Sequence, residues 1–208
     1  MPDPVLATRR ALMMAGLLLP VGSCTEYKSV AGTTPMLREG AYYPREIPGD
    51  ADADLLHVAG APQPAQGTPL LLTGQVRRIG GLAQPGTAME IWQPDAAGIY
   101  MNPRDPNLGR RDLGFQGYGR TTTNGVGRYA FTTLVPGLFP GRGRHIHLRI
   151  FPPGQPRALT TAIYFPDDAN KDEDAVWAGL SPTEREMLTA RITRSADGLR
   201  ASFDVILG

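Results

Sequence analysis

Along the chain, short apolar or β-branched runs are separated by Gly, Pro, Asn and Asp, and few stretches keep a helical period. Runs at Leu70–Arg78, Ala88–Gln93, Arg128–Leu134, Arg144–Phe151, Leu159–Phe165, Leu188–Ser195 and Leu199–Leu207 read as strands. The last alternates most regularly: Leu199, Ala201, Phe203, Val205 and Leu207 share one face, opposite Arg200, Ser202 and Asp204. Asn124-Gly125 and Asp197-Gly198 supply hairpin turns. Helix is predicted in two places only. Ser181-Pro182-Thr183-Glu184 combines an N-cap serine, a proline at the first helical position and a glutamate three residues after the cap, which starts a short helix through about Leu188. Asp172–Leu180 can hold another helical turn. Residues 94 to 119 show no period and read as one long loop, a length that in a compact domain accompanies function or disorder. The pattern as a whole predicts an all-β fold, a β-sandwich with long loops and one or two short helices.

Composition agrees with that reading. The 208 residues include 25 Gly and 20 Pro, both disfavoured inside helices, while 41% hydrophobic residues suffice for a core. Lys and Arg number 21 against 20 Asp and Glu, a net charge of +1, and no basic stripe marks a nucleic-acid reader. The single cysteine, Cys24, excludes an intrachain disulfide and any multi-cysteine metal site. It closes an N-terminal segment with the features of an address. Thr8-Arg9-Arg10 precedes an uncharged, mostly apolar run, Ala11 to Val21, too short to span a bilayer as a helix. Paired arginines before such a run resemble a twin-arginine export signal, and Val21-Gly22-Ser23-Cys24 is similar to a bacterial lipobox. The expectation is an export signal over 1–23, a lipidated Cys24, a tether over 24–40 and a folded body over 41–208. That implies a bacterial envelope lipoprotein, periplasmic, touching the membrane through its lipid alone. Removing the leader leaves 185 residues with balanced charge.

Two of the three histidines lie in Arg144-His145-Ile146-His147-Leu148-Arg149-Ile150. On a strand, positions i and i+2 share a face, so His145 and His147 point together while Ile146, Leu148 and Ile150 point into the core. Such a pair can lean two imidazoles toward one metal ion; the same spacing also serves structural histidines at a core edge. Further ligands must come from Asp, Glu or Tyr, a set that suits iron, zinc or manganese. Tyrosinate ligation favours a hard trivalent ion such as ferric iron.

Four segments carry a specific resemblance. They are Glu90-Ile91-Trp92-Gln93-Pro94-Asp95-Ala96-Ala97-Gly98-Ile99-Tyr100, Gly117-Tyr118-Gly119-Arg120-Thr121-Thr122-Thr123, Gly127-Arg128-Tyr129-Ala130-Phe131, and the run from Pro136 through Phe139, Arg142 and His145 to His147. In this order they resemble the motifs of the intradiol ring-cleavage dioxygenases, a family that includes protocatechuate 3,4-dioxygenase and catechol 1,2-dioxygenase. The resemblance runs from about Tyr42 to Leu207. It implies a β-sandwich of the intradiol type holding one non-haem, mononuclear Fe(III). Tyr100 would take the place of the tyrosinate that stays bound, His145 and His147 those of the two histidines, and Arg142 that of the arginine stabilising charge on the substrate. The substrates it implies are an ortho-dihydroxy aromatic and dioxygen, and the product a cis,cis-muconate-type diacid. The stretch ahead of the body is too short for the helical N-terminal domain of the cytosolic catechol enzymes.

Two positions depart from the family pattern. Phe139 stands where the second tyrosine belongs and cannot ligate, and Ala162 stands where many members have a glutamine near the arginine. Three readings stay open. A water, a hydroxide or a shifted tyrosine such as Tyr118 replaces the lost group; or the site serves another substrate or metal; or the protein is an envelope binding module without turnover. Elsewhere, Trp92 is expected to pack in the sandwich and Tyr129 beside Phe131, with His57 at the surface. Arg110-Arg111 is expected as a solvated pair, which would favour a carboxylated catechol if it faced the cavity.

Overall fold

The computed structural model describes residues 30–196 and 198–208. The export signal, Cys24, the first part of the expected tether and Asp197 of the second predicted turn lie outside the described residues. The strands are β1 (Pro69–Arg78), β2 (Ala88–Trp92), β3 (Tyr118–Thr122), β4 (Arg128–Leu134), β5 (His145–Phe151), β6 (Leu159–Tyr164), β7 (Arg191–Ser195), β8 (Gly198–Ser202) and β9 (Val205–Leu207). Two short helices, α1 (Ala175–Ala178) and α2 (Pro182–Leu188), and 3₁₀ turns at Leu108–Arg110 and Ala169–Glu173 complete the described elements.

The strands form two sheets. One runs β4-β1-β8-β7, with β9 beside the far end of β1; the other runs β3-β2-β5-β6. Their inner faces meet in one core. Leu70, Leu72, Val76, Phe131 and Val205 from the first sheet pack with Met89, Ile91, Ile146, Leu148, Ile150 and Ile163 from the second. This is the all-β sandwich read from the hydrophobic pattern.

Three element boundaries differ from the expected ones. The regular run 199–207 is two strands, not one. Its alternation holds, with Ala201, Phe203, Val205 and Leu207 buried, and its register on β1 is unbroken, but the backbone ladder lapses at Phe203-Asp204. There the Phe203 carbonyl takes the Tyr129 hydroxyl at 2.7 Å, and the Asp204 carboxylate takes the Gln75 backbone N–H at 3.0 Å. The strand expected from Leu188 begins only at Arg191, because the capping box at Ser181 and Glu184 carries α2 through Leu188. Tyr118–Thr122, expected as the end of the long loop and its exit, is a strand paired with β2, a pairing that two exposed positions and a glycine disguise. The described part of the expected tether is laid on the body. Thr34 exchanges hydrogen bonds with Ile206, and the Leu37 N–H donates to the Thr160 carbonyl.

The close approach of Phe203 explains Gly74 in the middle of β1, since a Cβ there would stand 1.8 Å from the Phe203 carbonyl oxygen. We expect Gly74→Ala to lower stability by about 2–4 kcal/mol through backbone displacement, read from urea unfolding. Ser181→Ala, which removes only a cap, should cost about 1 kcal/mol. Equal midpoints for the two variants would show that the Phe203–Gly74 approach is not a tight constraint.

Candidate metal centre

Antiparallel pairing arranges the outer face of the second sheet in rows. Tyr118, Trp92, His147 and Ala162 stand side by side across β3, β2, β5 and β6, and His145 stands opposite Tyr164. Both histidines are buried, at 3% and 4% exposure, although they face away from the core. The Trp92 ring lies flat on His147, with centroids 4.7 Å apart and 2° between planes. His145 Nδ1 is 2.6 Å from the Gly143 carbonyl. A carbonyl only accepts, so the proton sits on Nδ1 and Nε2 presents a lone pair.

The long loop brings the third donor. Its backbone is tied by short carboxylates in place of regular structure. Asp95 accepts from the N–H groups of Ala97, Ile99 and Asp112, and Asp105 accepts from those of Tyr100 and Asn107. Gly98, at φ +84°, allows the loop to press on the next segment, where a Cβ would meet the Leu138 carbonyl at 2.1 Å. The loop is thereby fastened beside Phe139, and the Tyr100 side chain is directed onto β5. Its hydroxyl is 3.1 Å from His147 Nε2 and 3.4 Å from His145 Nε2, and the two Nε2 atoms are 3.0 Å apart.

This triangle fits a single ion. Donors about 2.1 Å from one metal at angles between 90° and tetrahedral are separated by roughly 3.0–3.4 Å. Among the described residues no three His, Cys, Asp or Glu side chains gather, so an ion held here would need the phenol as its third donor. Burial lowers the His145 pKa from 6.5 to about 4, with the Arg142 charge acting the same way. Burial, His145 and Arg142 hold His147 well below its ordinary value, so both imidazoles are neutral and ready to ligate. Burial pushes the Tyr100 phenol up against the opposing pull of Arg142, and a bound cation reverses that balance.

The remaining residues divide clearly. Arg142 is half-buried and ion-paired with the fully buried Asp174 at 2.9 Å. Phe139 meets the Tyr100 ring edge-on, with centroids 5.3 Å apart. Phe139 and Arg142 share an open cleft of about 240 Å³ with Leu138, Asn170 and Glu173. Tyr42 stacks on Tyr100 at 4.8 Å and touches Phe139 at 4.9 Å, so a phenol absent from the expected site set roofs it. Asp174 and Tyr164 were also absent from that set. The signals available for them were an N-cap aspartate ahead of α1 and a tyrosine two residues beyond Ala162. Tyr118 is not brought to the triangle: its ring neighbours Tyr43, and burial and Glu90 push its pKa up. Trp92, expected in the sandwich core, is fully buried but lies on the outer face, clustered with Tyr100 and Tyr118, whereas Tyr129 lies beside Phe131 as expected. His57 is exposed and bonded to Asp54. Arg110 and Arg111 line a separate cleft with Asp95 and Asp112, away from Phe139 and Arg142.

Comparison with known proteins follows the same lines. The family model described as "Dioxygenase" matches residues 38–208. The protocatechuate 3,4-dioxygenase beta chain of Burkholderia cepacia is 32% identical over 176 residues, 79% of this chain and 75% of its own. The dioxygenase domain of a dioxygenase carbohydrate-binding protein fusion from Streptomyces sp. SirexAA-E superposes with a TM-score of 0.66 at 30% identity, over 84% of this chain and 97% of that one. Hydroxyquinol 1,2-dioxygenase from Pseudomonas putida DLL-E4 shares the fold, with a TM-score of 0.66 at 19% identity over 86% of this chain and 68% of that one. Sequence likeness across the whole sandwich, and not the fold alone, decides the matter: the chain belongs to the intradiol ring-cleavage dioxygenases, a family that opens catechol-type rings with dioxygen.

Proposed function

We propose that this chain is an exported, lipid-anchored dioxygenase that uses Fe(III) to open ortho-dihydroxy aromatic rings, giving a cis,cis-muconate-type diacid. The observation that carries the reading is the buried Tyr100–His145–His147 triangle beside Arg142. Tyr100, His145 and His147 would hold the iron, since a phenolate with two neutral imidazoles suits a hard trivalent ion. Bound there, ferric iron would supply Lewis acidity that draws both oxygens of the diol into place.

The chain's own residues set the rest. Trp92 keeps the His147 ring in plane, and the Gly143 carbonyl keeps His145 in the tautomer that ligates. Arg142 places a fixed positive charge where negative charge builds on the substrate during ring opening. Tyr42 and Phe139 form aromatic walls that exclude water from the ring's face. Phe139 takes up no proton, so protons released by the diol leave through solvent in the Phe139–Arg142 cleft. General-base help is typically worth 10²–10⁴-fold, so turnover without it is slow yet measurable.

The iron-loaded protein should be coloured by phenolate-to-iron charge transfer, consume oxygen with catechols and release a muconate-type product. Tyr100→Phe should remove the colour, and Phe139→Tyr should raise the rate by about 10-fold or more. Iron bound without oxygen uptake across a panel of catechols would instead assign the chain as a binding module, and failure to hold iron would remove the enzyme reading altogether. In the metal-free protein, the folded imidazoles titrate below their ordinary 6.5, so the unfolded chain binds more protons under that pH. Its melting temperature should therefore fall as pH is lowered from about 6.5 toward 4, and a flat profile would contradict the buried neutral pair. Export is tested in the bacterial host: the protein should be found processed and membrane-associated, and Cys24→Ala should release it or block its processing. Full-length protein confined to the cytosol would overturn that part.

A further inference from the structure

Arg142 is held from behind. Its Nε donates to Asp174 Oδ2 at 2.9 Å and its Nη2 to the Tyr164 hydroxyl at 3.3 Å, while that hydroxyl donates to the same carboxylate oxygen at 3.1 Å. The Asp174 side chain is fully buried and cannot swing aside. Its Oδ1 takes the Val176 and Trp177 N–H groups at the start of α1, and its Oδ2 also takes the Gly143 N–H at 3.1 Å. Ala162, opposite His147, offers the guanidinium nothing polar. Asp174 and Tyr164 are therefore its hydrogen-bond partners among the described residues. Nε and Nη2 lie on one edge of the planar guanidinium, so the clamp occupies that edge and leaves Nη1 for a ligand.

We propose that Asp174, with Tyr164, is a positioning residue: it fixes Arg142 so that Nη1 meets the substrate oxygen on which charge builds. The inference rests on the ring-cleavage reading above. An unclamped arginine spreads over many rotamers and must be ordered anew in each turnover, whereas a guanidinium already locked by a buried carboxylate loses nothing further. The helix cap that Asp174 also makes is a structural role, and the two roles separate by experiment.

The comparison uses iron-loaded wild type, Asp174→Asn, Arg142→Ala and the double variant; asparagine keeps a capping oxygen. Asp174→Asn should lower kcat about 10–100-fold with KM changed less than about 3-fold. Added to Arg142→Ala, it should change kcat less than about 2-fold, because it acts through the arginine. A merely structural role would lower stability and iron content but leave the rate per iron unchanged. In metal-free, ¹⁵N-labelled protein, the Arg142 Nε–H resonance, assigned by its absence in Arg142→Ala, should be resolved in wild type and lost in Asp174→Asn. Independent, multiplying effects in the double variant would overturn the proposal, as would an Nε resonance that survives Asp174→Asn. Should that variant not fold, Tyr164→Phe leaves the cap intact and should give a loss of about 3–10-fold that is likewise absent on Arg142→Ala. If wild type opens no ring, the ring-cleavage reading falls, while the Nε resonance still decides whether the clamp exists.

Discussion

The register of β5 is the constraint on which everything else depends. Its alternation sends Ile146, Leu148 and Ile150 into the core and His145 and His147 to the other face. A slip of one residue would exchange the two sets, burying imidazoles among aliphatic side chains and leaving three β-branched or leucine side chains outside. Each fully buried aliphatic side chain is worth about 1.5–3 kcal/mol, so the core itself enforces the placement of the donors. The candidate metal site therefore needs no separate device to hold two of its three atoms in line. It inherits its geometry from the hydrophobic pattern of a single strand and from the fixed spacing of neighbours in β2 and β6.

The third donor is held by different physics. Tyr100 sits on a loop without repeating structure, whose backbone polar groups must find partners because it lies against a buried face. Asp95 and Asp105 supply them, each bonding several N–H groups, so the loop has the rigidity of an element without the period of one. The N-terminal segment closes the site from above. Tyr42 lies on Tyr100, Tyr43 donates to Glu90, and Glu39 pairs with Arg149 at 2.8 Å. Burial of the triangle thus comes from irregular chain on both sides, and burial is what holds the two imidazoles neutral.

That division explains how much could be read from the residues alone. Strands with a buried inner face were legible, since period-2 alternation and the core are the same fact seen twice. That His145 and His147 share a face of β5 was legible for the same reason, and the meeting of Tyr100 with them through its motif. Tyr118–Thr122 was hidden because only one side chain of the strand is large and buried, the glycine beside it being there to admit Leu55. The break between β8 and β9 was hidden because register and alternation run on through it while side chains take over the backbone hydrogen bonds. Tyr42, Tyr164 and Asp174 were hidden because they are brought in by tertiary contacts from distant segments, and no local period marks a residue whose role is to meet another element.

Phe139 changes the electrostatics of the site as well as its proton chemistry. Under the ferric reading, two phenolates and two neutral imidazoles would leave one positive charge uncompensated, and a single phenolate leaves two. A doubly ionised ortho-diol supplies the missing pair of charges. Arg142 adds no net charge to this sum, being paired with the fully buried Asp174, whose carboxyl, though burial works to raise it, is held below its ordinary pKa by Arg142 and the α1 N–H groups; the guanidinium is still the local positive charge that the two histidines feel. In low dielectric, an uncompensated charge is costly and its neutralisation correspondingly favourable. Under that reading, phenylalanine in place of tyrosine would strengthen the hold on a substrate dianion while removing an internal acceptor for its protons. The same substitution would then shift the resting and the substrate-bound forms in opposite senses, and its net effect on rate would depend on how readily protons pass to water through the cleft beside Phe139.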